Sequence, residues 1–201
     1  MFSREISSRK TIWYMLSVFG AAVIIMAAVL MVTTGLGHNV SEAKSSVNTV
    51  DVKAVKIDDS SRCAARLFSA GVADINDTAK VVELFEAMGL EEAIGEYAVE
   101  ISPDNGVQAL KLTVKTPVQQ SDKKTFNRNM KKYAQQMLVL IPQVDKVQWS
   151  YTVLASNGSK NDATASVSAE SFTKKFGNGP DSFGTSKESV QKMLKKQAGK
   201  D

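Results

Sequence analysis

Reactive side chains are scarce in this chain. It carries one histidine, His38, and one cysteine, Cys63, in 201 residues. A Ser-His-Asp triad or a Cys-His dyad needs a histidine among the folded elements. His38 sits beside a long apolar run and outside any folded pattern, so nucleophilic catalysis of that kind is not expected. Zinc sites need several nitrogen or sulfur ligands together, and the same scarcity excludes them. A lone cysteine makes no internal disulfide. Cys63 reads as a small apolar side chain in a linker or a packed edge. Calcium loops with oxygen ligands at regular offsets are absent. The GxxxxGK[ST] order of a phosphate loop is also missing, and FGNGPDSFG, with Gly177, Gly179 and Gly184, reads as turn chemistry. No internal repeat and no heptad run appears.

What is present is one uncharged stretch, residues 11–37, TIWYMLSVFGAAVIIMAAVLMVTTGLG. A hydrocarbon core about 30 Å thick needs roughly 20 apolar residues in a helix. The run is long enough to span. Residues 1–10 carry Arg4, Arg9 and Lys10 against Glu5. The segment after the run carries Lys44, Lys53 and Lys56 against Glu42, Asp51, Asp58 and Asp59. Positive charge stays cytoplasmic, which places the N-terminus inside and the remainder outside. Trp13 and Tyr14 mark the inner interface. Ser17 and Ala21 form a weak small-xxx-small pair. A cleaved signal peptide is the competing reading, with residues 35–37 as a loose cleavage site; its apolar region is typically about 7–15 residues, shorter than this one.

The expected organisation is a cytoplasmic tail at 1–10, an anchor at 11–37, a stalk at 38–63 and one extracytoplasmic domain at 64–201. Asn76 and Asp77 are candidate helix caps. Val81, Leu84, Phe85 and Met88 follow at helical spacing, and Gly89 is a stop. Tyr97, Val99 and Ile101 alternate on one strand, and Leu110, Leu112 and Val114 on another. The PDNG turn at residues 103–106 lies between them. Phe126, Met130, Tyr133, Met137 and Ile141 predict a second helix over 122–141, ended by Pro142. Val147, Trp149, Tyr151 and Val153 alternate cleanly. A returning strand at 163–167, a helix at 169–176 capped by Ser168 and a polar helix at 186–196 complete the pattern. The expected fold class is α+β: a small, mostly antiparallel sheet with helices packed on one face, preceded by one transmembrane helix.

Charge is unevenly spread. Residues 64–121 hold four basic and nine acidic side chains, whereas residues 122–146 hold six basic and two acidic. The second helix is therefore the candidate surface: Lys123, Lys124, Arg128, Lys131 and Lys132 would meet anionic headgroups or wall polymers. The plainer reading is a solvated face. Trp149 and Tyr151 make either an aromatic platform or, more simply, core. Glu83, Glu86, Glu91, Glu92 and Glu96 form an acidic region without a singled-out catalytic pair.

Several stretches resemble a known family. They are NDTAKVVELF at 76–85, LKLTV at 110–114, MLVLIPQVDKVQW at 137–149 and SFTKKFG at 171–177. Together they resemble the uncharacterised bacterial extracytoplasmic domain-of-unknown-function family 4825, over roughly residues 65–197. Where that family usually has a Tyr-Gly dipeptide, this chain has Val107-Gln108-Ala109. The resemblance implies a membrane-anchored or lipoprotein form, most common in Gram-positive bacteria and sometimes attached to receptor-type membrane metallopeptidases. It implies no catalytic residue and no cofactor.

The expectation is a single-pass, non-enzymatic binding or sensing module of a bacterial envelope. Its partners would be the bilayer and an envelope protein or anionic polymer, not nucleic acid. A carboxylate-dependent envelope hydrolase and a structural protein touching anionic polymers or lipids are the alternatives.

Overall fold

The computed structural model describes residues 48–104 and 107–199, together with the backbone of Val23–Met26. The elements in chain order are β1 (Val23–Met26), α1 (Ser61–Ser69), α2 (Thr78–Met88), α3 (Leu90–Ile94), β2 (Tyr97–Asp104) and β3 (Val107–Val114). Then come β4 (Val118–Gln119), α4 (Lys123–Leu140), β5 (Lys146–Leu154), β6 (Lys160–Ser168), α5 (Ala169–Phe176) and α6 (Lys187–Ala198). A 3-10 turn, Pro180–Ser182, separates α5 from α6.

The fold class is α+β, but the sheet is mixed rather than mostly antiparallel. β2 pairs antiparallel with β3, and β5 with β6. β3 and β5 run parallel, with Leu112 opposite Trp149. The reason is α4. A strand, a long helix laid back over the sheet and another strand bring the chain round to the same end, so the second strand points as the first did. β3 breaks at residues 115–117, and β4 takes up the same side of β5 further along, with Val118 opposite Val153.

Period-2 alternation sends one set of side chains to the core. Val99, Leu110, Leu112, Val147, Trp149, Tyr151 and Val153 are buried. The opposite face, with Glu100, Lys111, Thr113, Gln148, Ser150 and Thr152, carries no helix among the described residues and stays half-buried or exposed. All large core side chains therefore meet the helices on one side. Phe126, Met130 and Met137 of α4 are fully buried against them, each worth about 1.5–3 kcal/mol by burial.

Local signals end the helices where expected. The Asp77 carboxylate accepts from the Lys80 amide, and Gly89 closes α2 at φ 66°. Ser168 and Ser186 each begin a reciprocal capping box with the serine three residues on.

The folded body reaches further toward the N-terminus than Ala64. Val50 and Ile57 are buried, and Val52 and Val55 pack against the core. Residues 50–59, expected as stalk, form an extended strap along α4, and α1 begins at Ser61 with Ser60 as its cap. The expected spanning run lies outside the described residues except for β1. There the backbone of Val23–Met26 is a strand, antiparallel to Ala98–Ile101 of β2, where a helix was expected. An open sheet edge accepts any extended segment, and Val and Ile favour strands. No described helix is long and apolar enough to cross a membrane.

Tyr97 packs edge-on to Phe85 at 6.0 Å. Burial, with help from Glu91 and Glu86, pushes its phenol up to about 12. The folded protein thus holds this proton more tightly than the unfolded chain, whose tyrosine titrates near 10. Stability is intact below about pH 10 and falls as pH rises toward 12, by up to roughly 2–3 kcal/mol from this group. Burial moves Tyr133 and Tyr151 in the same direction. Denaturant midpoints measured up that range should drop, and Tyr97→Phe should flatten the slope; an unchanged slope would contradict the assignment.

Candidate cationic interface

α4 begins poorly by the usual rules. Asp122 precedes it without making a side-chain cap, and its first turn has no acid. Instead Lys123 and Lys124 stand at the positive end of the helix dipole, where cations are disfavoured. At 3.6 residues per turn, Lys124, Arg128 and Lys131 fall within about 60° of one another. They lie roughly opposite the Phe126, Met130, Tyr133 and Met137 stripe that meets the sheet.

Lys123, Lys124, Arg128 and Lys131 are all exposed. Among the described residues none of the four is paired with a carboxylate. Several cations elsewhere are paired, among them Lys80 with Glu83 at 2.6 Å, Lys115 with Glu96 at 2.5 Å, Lys146 with Asp104 at 2.6 Å and Lys174 with Glu170 at 2.7 Å, although among the described residues Lys160, Lys192 and Lys195 are not. Exposed pairs of this kind add little stability, but they do neutralise charge locally. The first half of α4 keeps its charge.

Lys132 does not belong to that surface. It is 7% exposed, and its ammonium donates to the Val55 carbonyl at 3.0 Å. Beside it, buried Asn129 accepts from the Val55 amide at 3.0 Å and donates to the Lys53 carbonyl at 2.7 Å. The two side chains clamp the strap as a neighbouring strand would. At the strap's start the Val50 amide donates to the Pro117 carbonyl at 2.9 Å. At its end Gln191 of α6 donates to the Asp59 carbonyl at 3.1 Å. The expected basic face thus divides into an exposed quartet and one structural lysine.

The second half of α4 is enclosed. Gln135 and Gln136 are buried with Gln197 of α6. Gln136 donates to Gln197 at 3.1 Å, and Gln197 donates to Gln135 at 3.0 Å and to the Lys132 carbonyl at 3.1 Å. No apolar stripe announces these glutamines, and neither they nor Asn129 stand out in the sequence. They hold the last helix and the strap to α4, since buried amides must find partners.

Trp149 and Tyr151 are core, 2% and 3% exposed. The Trp149 indole donates to Asn127 at 2.9 Å, and Asn127 donates to the Tyr151 hydroxyl at 2.6 Å. Cys63 is half-buried against the core, and burial raises its thiol. Of the acidic region, Glu83 and Glu96 each hold a lysine, and Glu91 and Glu92 stand in the first turn of α3. FGNGPDSFG is turn chemistry built round an aromatic cluster of Phe172, Phe176 and Phe183. A shallow depression of about 230 Å³ lies between α1 and α6, lined by Arg62, Lys187 and Glu188 among others. Among the described residues no group of three His, Cys, Asp or Glu is placed to hold a metal. His38 lies outside the described residues.

Among the described residues the fold is an α+β layer with its helices on one face of the mixed sheet, and the exposed cations lie on a helix rather than in a cleft. Residues 72–164 match the model of a domain of unknown function (DUF4825). Over those residues, which run from before α2 into β6, the chain resembles that family. Three of the four stretches that suggested it fall inside the match; residues 171–177 fall beyond it. No curated protein and no solved structure matches the chain.

Proposed function

We propose that this chain is a single-pass, membrane-anchored extracytoplasmic binding or sensing module of a bacterial envelope, of the Gram-positive type. The observation that supports it best is the junction between the uncharged run and the domain. Thirteen residues after Gly37 the chain is already pinned, with Val50 on Pro117 and the strap clamped by Asn129. A domain joined so closely to its tether is held near the bilayer surface in a restricted set of orientations. The anchor requires Val23–Met26 to leave the edge of β2. In lipid a helix satisfies every backbone group of the run, which an open strand does not.

A second reading, a structural contact with anionic polymer or lipid, is favoured by the unpaired quartet on α4. The competing proposal of a carboxylate-dependent hydrolase has no such support, because Glu83 and Glu96 are engaged with lysines. The test is purification of the full chain from alkali-washed membranes after mild cross-linking. A stoichiometric envelope component should accompany it. Release by the alkaline wash would sink the anchor, and repeated recovery alone would sink the binding module.

A further inference from the structure

The strap fixes which end of the domain meets the tether. It enters beside Pro117, one short strand before α4 begins, and Thr49 lies 3.5 Å from the Gln119 side chain. Lys123 and Lys124 open the helix immediately after. Thirteen Cα steps separate Gly37 from Val50, a reach of at most about 45 Å when fully extended. The exposed cations occupy the half of α4 nearest this point, and the enclosed half points away from it. Lys124, Arg128 and Lys131 also project opposite the stripe that meets the sheet, so the sheet face without a described helix looks the other way. Four exposed cations without a carboxylate partner gather at the tethered pole, and two of them, Lys123 and Lys124, stand in the first turn against their own helix dipole, which solubility alone does not require.

We infer that the first half of α4 rests on anionic phospholipid headgroups of the membrane that anchors the chain, turning the helix-free face of the sheet outward. This rests on the anchored reading above. Cationic side chains near such a surface are attracted within about a Debye length, 8–10 Å at ordinary salt. Tethering keeps them at high local concentration, so a modest attraction suffices to orient the domain. Free anionic polymer would satisfy the same chemistry, but it does not explain why the charge gathers at the tethered end.

The test uses the full chain in vesicles of phosphatidylcholine with or without phosphatidylglycerol. A membrane-impermeant amine-acylating reagent is applied, and labelling of Lys123, Lys124 and Lys131 is read against Lys174 by mass spectrometry. Lys174 is exposed on α5, which follows the end of β6 far from Gln119, and serves as the internal reference. The ratio should fall at least about tenfold with phosphatidylglycerol and recover at high salt. In the combined variant Lys124→Glu, Arg128→Glu, Lys131→Glu, Lys123 should label as it does in neutral vesicles. Equal ratios in the two lipids would overturn the inference, and so would shielding of Lys123 that survives the charge reversals. Shielding produced by soluble polyglycerol phosphate over neutral lipid, but not by phosphatidylglycerol, would assign the surface to a polymer and overturn it too. Flotation of the same vesicles after an alkaline wash separates the two readings: loss of the chain removes the anchor, whereas retention with equal labelling removes only the orientation.

Discussion

Gly184→Ala should be among the most damaging single substitutions in this domain, costing about 2–4 kcal/mol. A Cβ at this position would run into the backbone carbonyl oxygen of Val139 on α4. Its backbone shows no left-handed φ, so the cost is steric and not conformational. Relief requires the segment after Pro180–Ser182 to lift from α4. Phe183 goes with it, and Phe183 makes edge contacts of 5.8 Å and 5.9 Å with Phe172 and Phe176. The melting temperature should fall by roughly 5–15 °C for a domain of this size. Gly179→Ala is the control, since its Cβ meets only the Thr173 hydroxyl at 3.9 Å. It should stay within about 0.5 kcal/mol of the parent. Equal melting of both variants would show that the loop yields freely and that α4 is not braced there.

Asn129→Ala should free the strap at a cost of about 1–3 kcal/mol. Two hydrogen bonds go, and the Val55 amide and Lys53 carbonyl lose their partner. Asn129 is buried, whereas Val55 is half-buried and Lys53 exposed, so water takes up part of the loss. The effect should be local first. Hydrogen exchange at the Val55 amide should quicken well before that of β5, and trypsin should gain access at Lys53 and Lys56. Protection at Val55 unchanged by the substitution would mean that the apolar contacts of Val50 and Ile57 hold the strap unaided.

Much of the scaffold could be read from the chain. The α2 boundary followed from Asp77 and Gly89, whose roles are local: a carboxylate meets an amide three residues on, and a glycine accepts a left-handed turn. The 18-residue α4 and the nine-residue β5 followed from periods of 3.6 and 2 sustained over their lengths. β6 was underestimated because Asn161 and Asp162 resemble a turn, and an edge strand needs no apolar alternation to stay paired. The parallel alignment of β3 and β5 was implicit in strand, long helix, strand; hairpins on either side drew the reading toward an antiparallel sheet.

The strap was less legible. The apolar residues of 47–57 alternate only in part, because only some of the strap's side chains face α4. Such alternation suggests an extended piece but not one docked on the body. The strap's backbone is satisfied by Asn129, Lys132 and Gln191. Those partners lie 74 or more positions away in the chain. Nothing local in Asn129 marks it as a clamp, and nothing in Lys132 separates it from Lys131.

By itself the sequence determined the longer elements, α2, α4, α5, α6 and the strands β2, β3 and β5, because hydrophobic period and capping act over a few residues; α1, α3 and β4 were not legible in it. It also determined the excess of positive charge on α4, because composition alone sets that. Only the tertiary structure decided which cations stay exposed and which lysine is buried. It alone showed that residues 50–59 of the supposed stalk belong to the body and that, among the described residues, one face of the sheet carries no helix. These depend on groups distant in the chain meeting in space, where burial, and not sequence spacing, sets whether a polar group must find a partner.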